Sequence, residues 1–354
     1  MISQDDLRAA VGSGLLSEAQ AASLQALAHS RNGAREGLRE GDEPFELFKG
    51  FNEIFIIIGL IILASGWIAF TGLSLVGQIG GFQDKIIWSA LLGAGILWGL
   101  SEYFIRRRRM VAPAIALSIL FAGNAGSGLG SFFAEPFMIA QQDYSSLSIP
   151  LGLTTLSVFV FWLRFKVPFA MALIALGGFT HALLLAGLQA GAPEQFSDLF
   201  LLSANGPFAL VTLALGLVVF AIAMWFDLSD PHRVTRRSAQ GFWLHVVAAP
   251  ALVNTLALSL MNQETAAADI LLLGVLALFA LVAIVIDRRS FLIAAIGYIV
   301  TLASTVFDGE GTAVTVLALG VFLVALGAFW TRIRAALLSL FSGILPIHRL
   351  PPSH

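Results

Sequence analysis

Ten apolar runs, each about as long as the roughly 30 Å hydrocarbon core of a bilayer requires, follow one another along this chain with few charges inside them. They read as 54–76, 86–105, 110–133, 147–163, 168–189, 207–226, 241–260, 268–286, 290–307 and 312–330. Only 12% of the 354 residues are charged and 58% are hydrophobic. A soluble domain would carry roughly a quarter charged residues, so lipid has to solvate much of this surface. The spacing predicts an all-α fold: a polytopic transmembrane helical bundle of about ten spans, with neighbours antiparallel where the connections are short.

Basic residues alternate with the runs. Arg8, Arg31, Arg35, Arg39 and Lys49 precede the first, Arg106 to Arg109 follow the second, and Arg164 and Lys166 follow the fourth. Arg233, Arg236 and Arg237 come after the sixth, Arg288 and Arg289 after the eighth, and Arg332, Arg334 and Arg349 after the tenth. Of the twenty Lys and Arg, Lys85 alone falls on the other side. The positive-inside rule then predicts a protein of the cytoplasmic (inner) membrane with both termini cytoplasmic. The polar start of the chain suggests that the first run acts as an uncleaved signal anchor. The opposite side carries Asp84, Glu135, Asp143, Glu194, Asp198, Glu264, Asp269, Asp308 and Glu310. Excluding Lys and Arg leaves such acids behind; the sharper reading is an acidic vestibule that concentrates cations.

Three regions are expected: residues 1–42, 43–331 and 332–354. The first reads as a small cytoplasmic helical hairpin and linker. Ser3 with Asp6 and Ser17 with Gln20 have capping-box spacing, Gly12 and Gly14 supply a turn, and Leu15, Leu16, Leu24 and Leu27 form an apolar stripe. So short a unit buries little core by itself, so a protein partner or self-association through residues 1–42 is expected. Phe45, Phe48, Phe51 and Phe55 lead into the first span at interfacial-helix spacing, and the segment after Arg332 reads as a second interfacial helix with snorkelling arginines.

A polar side chain in hydrocarbon is costly unless paired. Asn124, His181, His245 and Asn254 lie inside the third, fifth and seventh spans. Asn124, His181 and Asn254 each fall about 13 residues past the inner boundary, roughly 20 Å at 1.5 Å per residue, so they share a level. They are candidates for an intramembrane polar pathway, with His245 as a second relay nearer the cytoplasm. The alternative is that each hydrogen-bonds a neighbouring helix. Gly123, Gly126, Gly128 and Gly130 crowd the third span, as close packing or a broken helix lining a cavity would require. Glu102 stands one turn before Arg106 and reads as an interfacial ion pair.

Internal similarity at an offset of four spans suggests parallel repeats: Phe169, Ala172, Ile174 and Gly177 fall near Phe291, Ala294, Ile296 and Gly297, and Gly93 is matched by Gly216. Repeats of this kind are common in transporters. Ala-Gly-Ser-Gly around Ser127 resembles the Gly-x-Ser-Gly of rhomboid-type intramembrane proteases, but Ala125 stands where that motif has Gly, and ten spans exceed that family's plan. The chain has no cysteine, no H-E-x-x-H and no phosphate-binding Gly-rich loop. No catalytic, cofactor or metal site is therefore expected, nor, at a net charge of -2, a nucleic-acid partner.

Gly-Leu-Leu-Ser-Glu-Ala-Gln at 14–20 followed by Gly-Phe-Asn-Glu-Ile-Phe at 50–55 resembles bacterial predicted membrane proteins classed only as domains of unknown function. That resemblance implies no activity and no site residues. The expectation from the residues themselves is a non-enzymatic transporter of a small solute or ion. The alternative is a membrane scaffold, assembly factor or sensor acting through the N-terminal hairpin.

Overall fold

The computed structural model describes residues 52–75 and 81–288, apart from Pro136, Asn205, Val234 and Glu264, with parts of 7–27 and 317–343 and residues 350–351. Eight helices among these are long and apolar enough to cross a membrane, which makes this a multi-pass membrane protein. They are α1 (Asn52–Leu75), α2 (Phe82–Ser101), α3 (Val111–Phe133), α4 (Ser148–Phe165), α5 (Ala170–Ala190), α6 (Phe208–Leu228), α7 (Arg236–Met261) and α8 (Ala266–Ile286). A ninth helix, α9 (Trp330–Leu340), follows. The expected ninth span, 290–307, and about half of the tenth, 312–330, lie outside the described residues, as does most of the N-terminal region. Within the latter, Gly14 (φ 72°) turns the chain after a helical stretch, with Leu15 N–H bonded to the Ala10 carbonyl at 2.9 Å. Ser17 and Gln20 cap each other's backbone N–H groups at 3.0 and 3.2 Å.

The helices build two like units. α3 packs on α1, α2 and α4; four helices further on, α7 packs on α5, α6 and α8. α7 is the hub: 61% of its apolar window is buried, against 6% for α1. Glycines set the closest approaches. A Cβ at Gly93 would sit 2.5 Å from Asn124 Oδ1, and one at Gly128 equally close to the Ala90 Cβ, joining α2 to α3. Gly216 meets Leu252 and Ala251 in the same way, joining α6 to α7.

The two cores differ in chemistry. The first is aromatic: Phe121 stacks on Phe161 at 4.8 Å, Phe161 meets Phe165 at 4.6 Å, and Trp98 meets Phe165 at 5.0 Å. The second is made of smaller residues, with Ala248, Ala249, Val253, Ala257 and Leu272 fully buried around α7. Outside these cores, Ile, Leu, Phe and Val side chains are exposed along every spanning helix, as a surface solvated by hydrocarbon tails requires.

Candidate functional site

Where α6, α7 and α8 meet at the arginine-rich end, the structure buries a cluster of charged side chains. Asp227 is the penultimate residue of α6 and is 6% exposed. Arg288 lies just past α8 and grips the Asp227 carboxylate with two nitrogens: Nε donates to Oδ2 at 2.9 Å and Nη2 donates to Oδ1. This forked geometry is the strong form of a carboxylate–guanidinium pair. His245, fully buried on α7, places Nε2 3.0 Å from the same Oδ2. Its ring meets Phe220 edge-on at 5.5 Å. Arg288 Nη2 also donates to the Ser238 carbonyl at 2.8 Å and to its hydroxyl at 3.2 Å.

Local folding explains how Arg288 reaches inward. α8 ends at Asp287 in the left-handed conformation (φ 56°). Arg288 N–H bonds back to the Ala283 carbonyl at 2.8 Å, a closure that satisfies a helix-end acceptor and reverses the chain. On the facing side Gly241 is obligatory, because a Cβ there would overlap the Asp227 carboxylate and approach the Ala223 carbonyl to 3.1 Å.

A ring of supporting contacts surrounds this centre. Arg233 donates to Asp287 Oδ2 at 2.8 Å and to the Asp287 and Ile286 carbonyls at 2.9 and 3.2 Å. Arg334, on α9, donates to the Ile284, Val285 and Pro351 carbonyls. Trp330 Nε1 donates to Asp287 Oδ1 at 2.9 Å. The two arginines thus cap the carbonyl end of α8, where cations are favoured. Burial pulls both guanidiniums below their ordinary pKa; the neighbouring Asp287 opposes this at each. Asp230, buried, receives the Thr235 N–H at 2.9 Å and its hydroxyl at 2.8 Å, and Thr235 in turn caps α7. Arg236 reaches the last carbonyl of α4, that of Phe165, at 3.4 Å.

The four polar residues singled out from the sequence occupy different places. His245 belongs to the cluster. Asn124 Nδ2 donates to the Ala90 carbonyl of α2 at 2.8 Å. His181 lies against Gly152 of α4, 3.5 Å from its Cβ position, and its buried Nδ1 has no hydrogen-bond partner among the described residues. Asn254 is half-buried on α7. The glycine-rich stretch is continuous helix within α3. Gly128 meets α2 and Gly126 meets Thr154 of α4, whereas Gly123 and Gly130 have no neighbour within 4 Å among the described residues. Ser127 Oγ donates to the Asn124 carbonyl of its own helix at 2.9 Å. Glu102 pairs with Arg106 at 3.2 Å as its spacing suggests, and also with Arg164 at 2.8 Å.

Asp227, Arg288 and Ser238 were not marked by sequence reasoning. Asp227 stands one residue beyond the expected end of its span, and Ser238 precedes the expected start of the next. The available signal was positional. Glu102 and Asp227 close the second and sixth spans 125 residues apart, and Arg164 and Arg288 follow the fourth and eighth 124 residues apart.

Among the described residues, no group of three or more His, Asp or Glu converges in a way that could hold a metal ion. No family model, curated protein or solved structure matches the chain.

Proposed function

We propose that this protein moves a small solute or ion across the cytoplasmic membrane, with its arginine-rich end and both termini in the cytoplasm. The observation that carries the reading is the buried Asp227–His245–Arg288 cluster. One carboxylate is shared between a guanidinium and an imidazole, both buried. Asp227 is the only carboxylate that Arg288 pairs with among the described residues, and separating the two leaves an uncompensated buried charge that destabilises its surroundings. Breaking this pair therefore loosens the contact between α6, α7 and α8 at the cytoplasmic end. That is the behaviour of an inner gate in a repeat-built carrier, with Asn124, His181 and Asn254 as the polar positions further out. No catalytic step is part of this reading.

The absence of cysteine makes the test direct. Single substitutions Asn124→Cys, His181→Cys and Asn254→Cys are treated in intact cells with a small membrane-impermeant thiol reagent, with Ser146→Cys in a loop as the positive control. Labelling at two or more of the three positions is the expected result. Silence at all three with the control labelled overturns the pathway.

A second reading has its own support. Leu15, Leu24 and Leu27 are exposed near the N-terminus, as a stripe awaiting a protein partner or a second copy would be. A scaffold, assembly factor or sensor acting through residues 1–42 would lose its association on deletion of that segment while the spanning bundle stayed intact.

A further inference from the structure

We propose that an open notch at the end of α2 binds the phosphate of an anionic phospholipid headgroup. The notch, about 520 Å³, is lined by Gly99, Glu102, Tyr103, Arg106 and Arg107. Its wall is unusual. Residues Glu102–Arg107 form a π-helical turn, with Arg108 N–H bonded to the Tyr103 carbonyl at 2.9 Å. The wider turn brings both Arg106 and Arg107 within one turn of Glu102, where an α-helix favours only the i+4 residue.

Charge then selects the ligand. Both oxygens of Glu102 are already taken, one by Arg106 Nη1 and one by Arg164 Nε. Arg106 and Arg164 pair with this carboxylate, and Arg107, Arg108 and Arg109 follow Arg106 directly in the chain with no further acid among them. Arg107 is exposed and has no hydrogen-bond or ion-pair partner among the described residues. A planar guanidinium with free donors is suited to phosphate oxygens. At the other end of the same face, Leu92 and Ile96 are exposed, and Gly99 and Tyr103 continue their line at helical spacing up to the notch. An acyl chain lying on Leu92 and Ile96 leads its headgroup past the side-chain-free Gly99 to Arg106 and Arg107. This apolar track distinguishes a lipid from a soluble anion. The proposal shares with the proposed function the reading that this end faces the anionic leaflet.

The test uses the full chain in detergent, where orientation plays no part. Native mass spectrometry follows titration with phosphatidylglycerol, with phosphatidylcholine, and with phosphatidylglycerol against millimolar inorganic phosphate. Wild type is expected to bind phosphatidylglycerol at least about tenfold more tightly than phosphatidylcholine. The double variant Arg106→Gln/Arg107→Gln is expected to lose that preference, and Arg107→Gln alone, which breaks no contact within the fold, to lose part of it. Arg237→Gln, an exposed arginine of the second unit, is expected to leave it unchanged. Equal binding of the two lipids, an unchanged Arg107→Gln, or displacement of phosphatidylglycerol by inorganic phosphate overturns the proposal. The second of these places any lipid elsewhere, and the third makes the notch a soluble-anion site.

Discussion

The two four-helix units carry the same kind of ion pair at the same place, yet one lies in the open and the other in the core. Glu102 and Arg164 keep side-chain exposures of 33% and 43%; Asp227 and Arg288 keep 6% and 7%. What differs is the packing beneath. On the central helix of the first unit stands Phe121, stacked on Phe161; 124 residues on, the central helix of the second unit bears His245. Where α7 has Gly241, α3 has the fully buried Leu117. Aromatic bulk fills the first unit to its end and leaves the arginine outside. A glycine, a histidine and small aliphatic residues leave room in the second for a guanidinium to turn inward. The position of a charge relative to the core is here decided by the volume of its neighbours.

The largest effect should separate the two pairs outright. Asp227→Ala leaves Arg288 buried beside an unoccupied seat and should cost about 3–5 kcal/mol. It is read as loss of folded protein or a large drop in the unfolding midpoint, followed by tryptophan fluorescence in detergent. Glu102→Ala, at the matching position, should cost no more than about 1 kcal/mol, as exposed pairs do. Comparable losses at both sites would dissolve the distinction.

Exchanging the central residues sharpens it. Phe121→His places an imidazole in an aromatic core with no matching carboxylate, and His245→Phe removes one contact from Asp227 while Arg288 remains. The first should be costlier, but each should fall at roughly 1–3 kcal/mol by the cost of an unsatisfied buried polar group. Gly241→Ala tests the space itself. Its Cβ meets the Asp227 carboxylate and should cost about 1–3 kcal/mol by overpacking. Gly95→Ala, with nothing within 4 Å among the described residues, should shift the midpoint very little. The smallest effect is expected from Arg164→Lys, which keeps a surface charge near Glu102 and should change stability by less than about 1 kcal/mol.

Most of the bundle was legible from apolar length. The first eight expected spans coincide with α1 to α8 to within a few residues, because hydrocarbon thickness sets helix length directly. The Ser17–Gln20 cap and the Glu102–Arg106 pair were legible for a similar reason: partners three or four residues apart on a helix are fixed by its pitch. The cluster was not. Its bonds join residues 18, 50 and 61 positions apart, and a carboxylate at the end of an apolar run, next to an arginine-rich loop, looks solvated in one dimension. Only the left-handed turn at Asp287, which a lone Asp does not announce, sends Arg288 back between the helices. Asn124 shows the reverse case: its depth was readable, but its bond to the Ala90 carbonyl depends on Gly93 and Gly128 drawing α2 close.

The cap on α8 has a consequence in time. The first unit's ion pair requires nothing beyond Arg164, so it can close while the ribosome is still making the second unit. Arg288 is held at a helix end whose carbonyls are covered by Arg334, and Arg334 itself leans on the carbonyl of Pro351. Until those residues emerge, the end of α8 lacks its cover. The second unit is thus sealed only once Arg334 and Pro351, well beyond α8 in the chain, have been made.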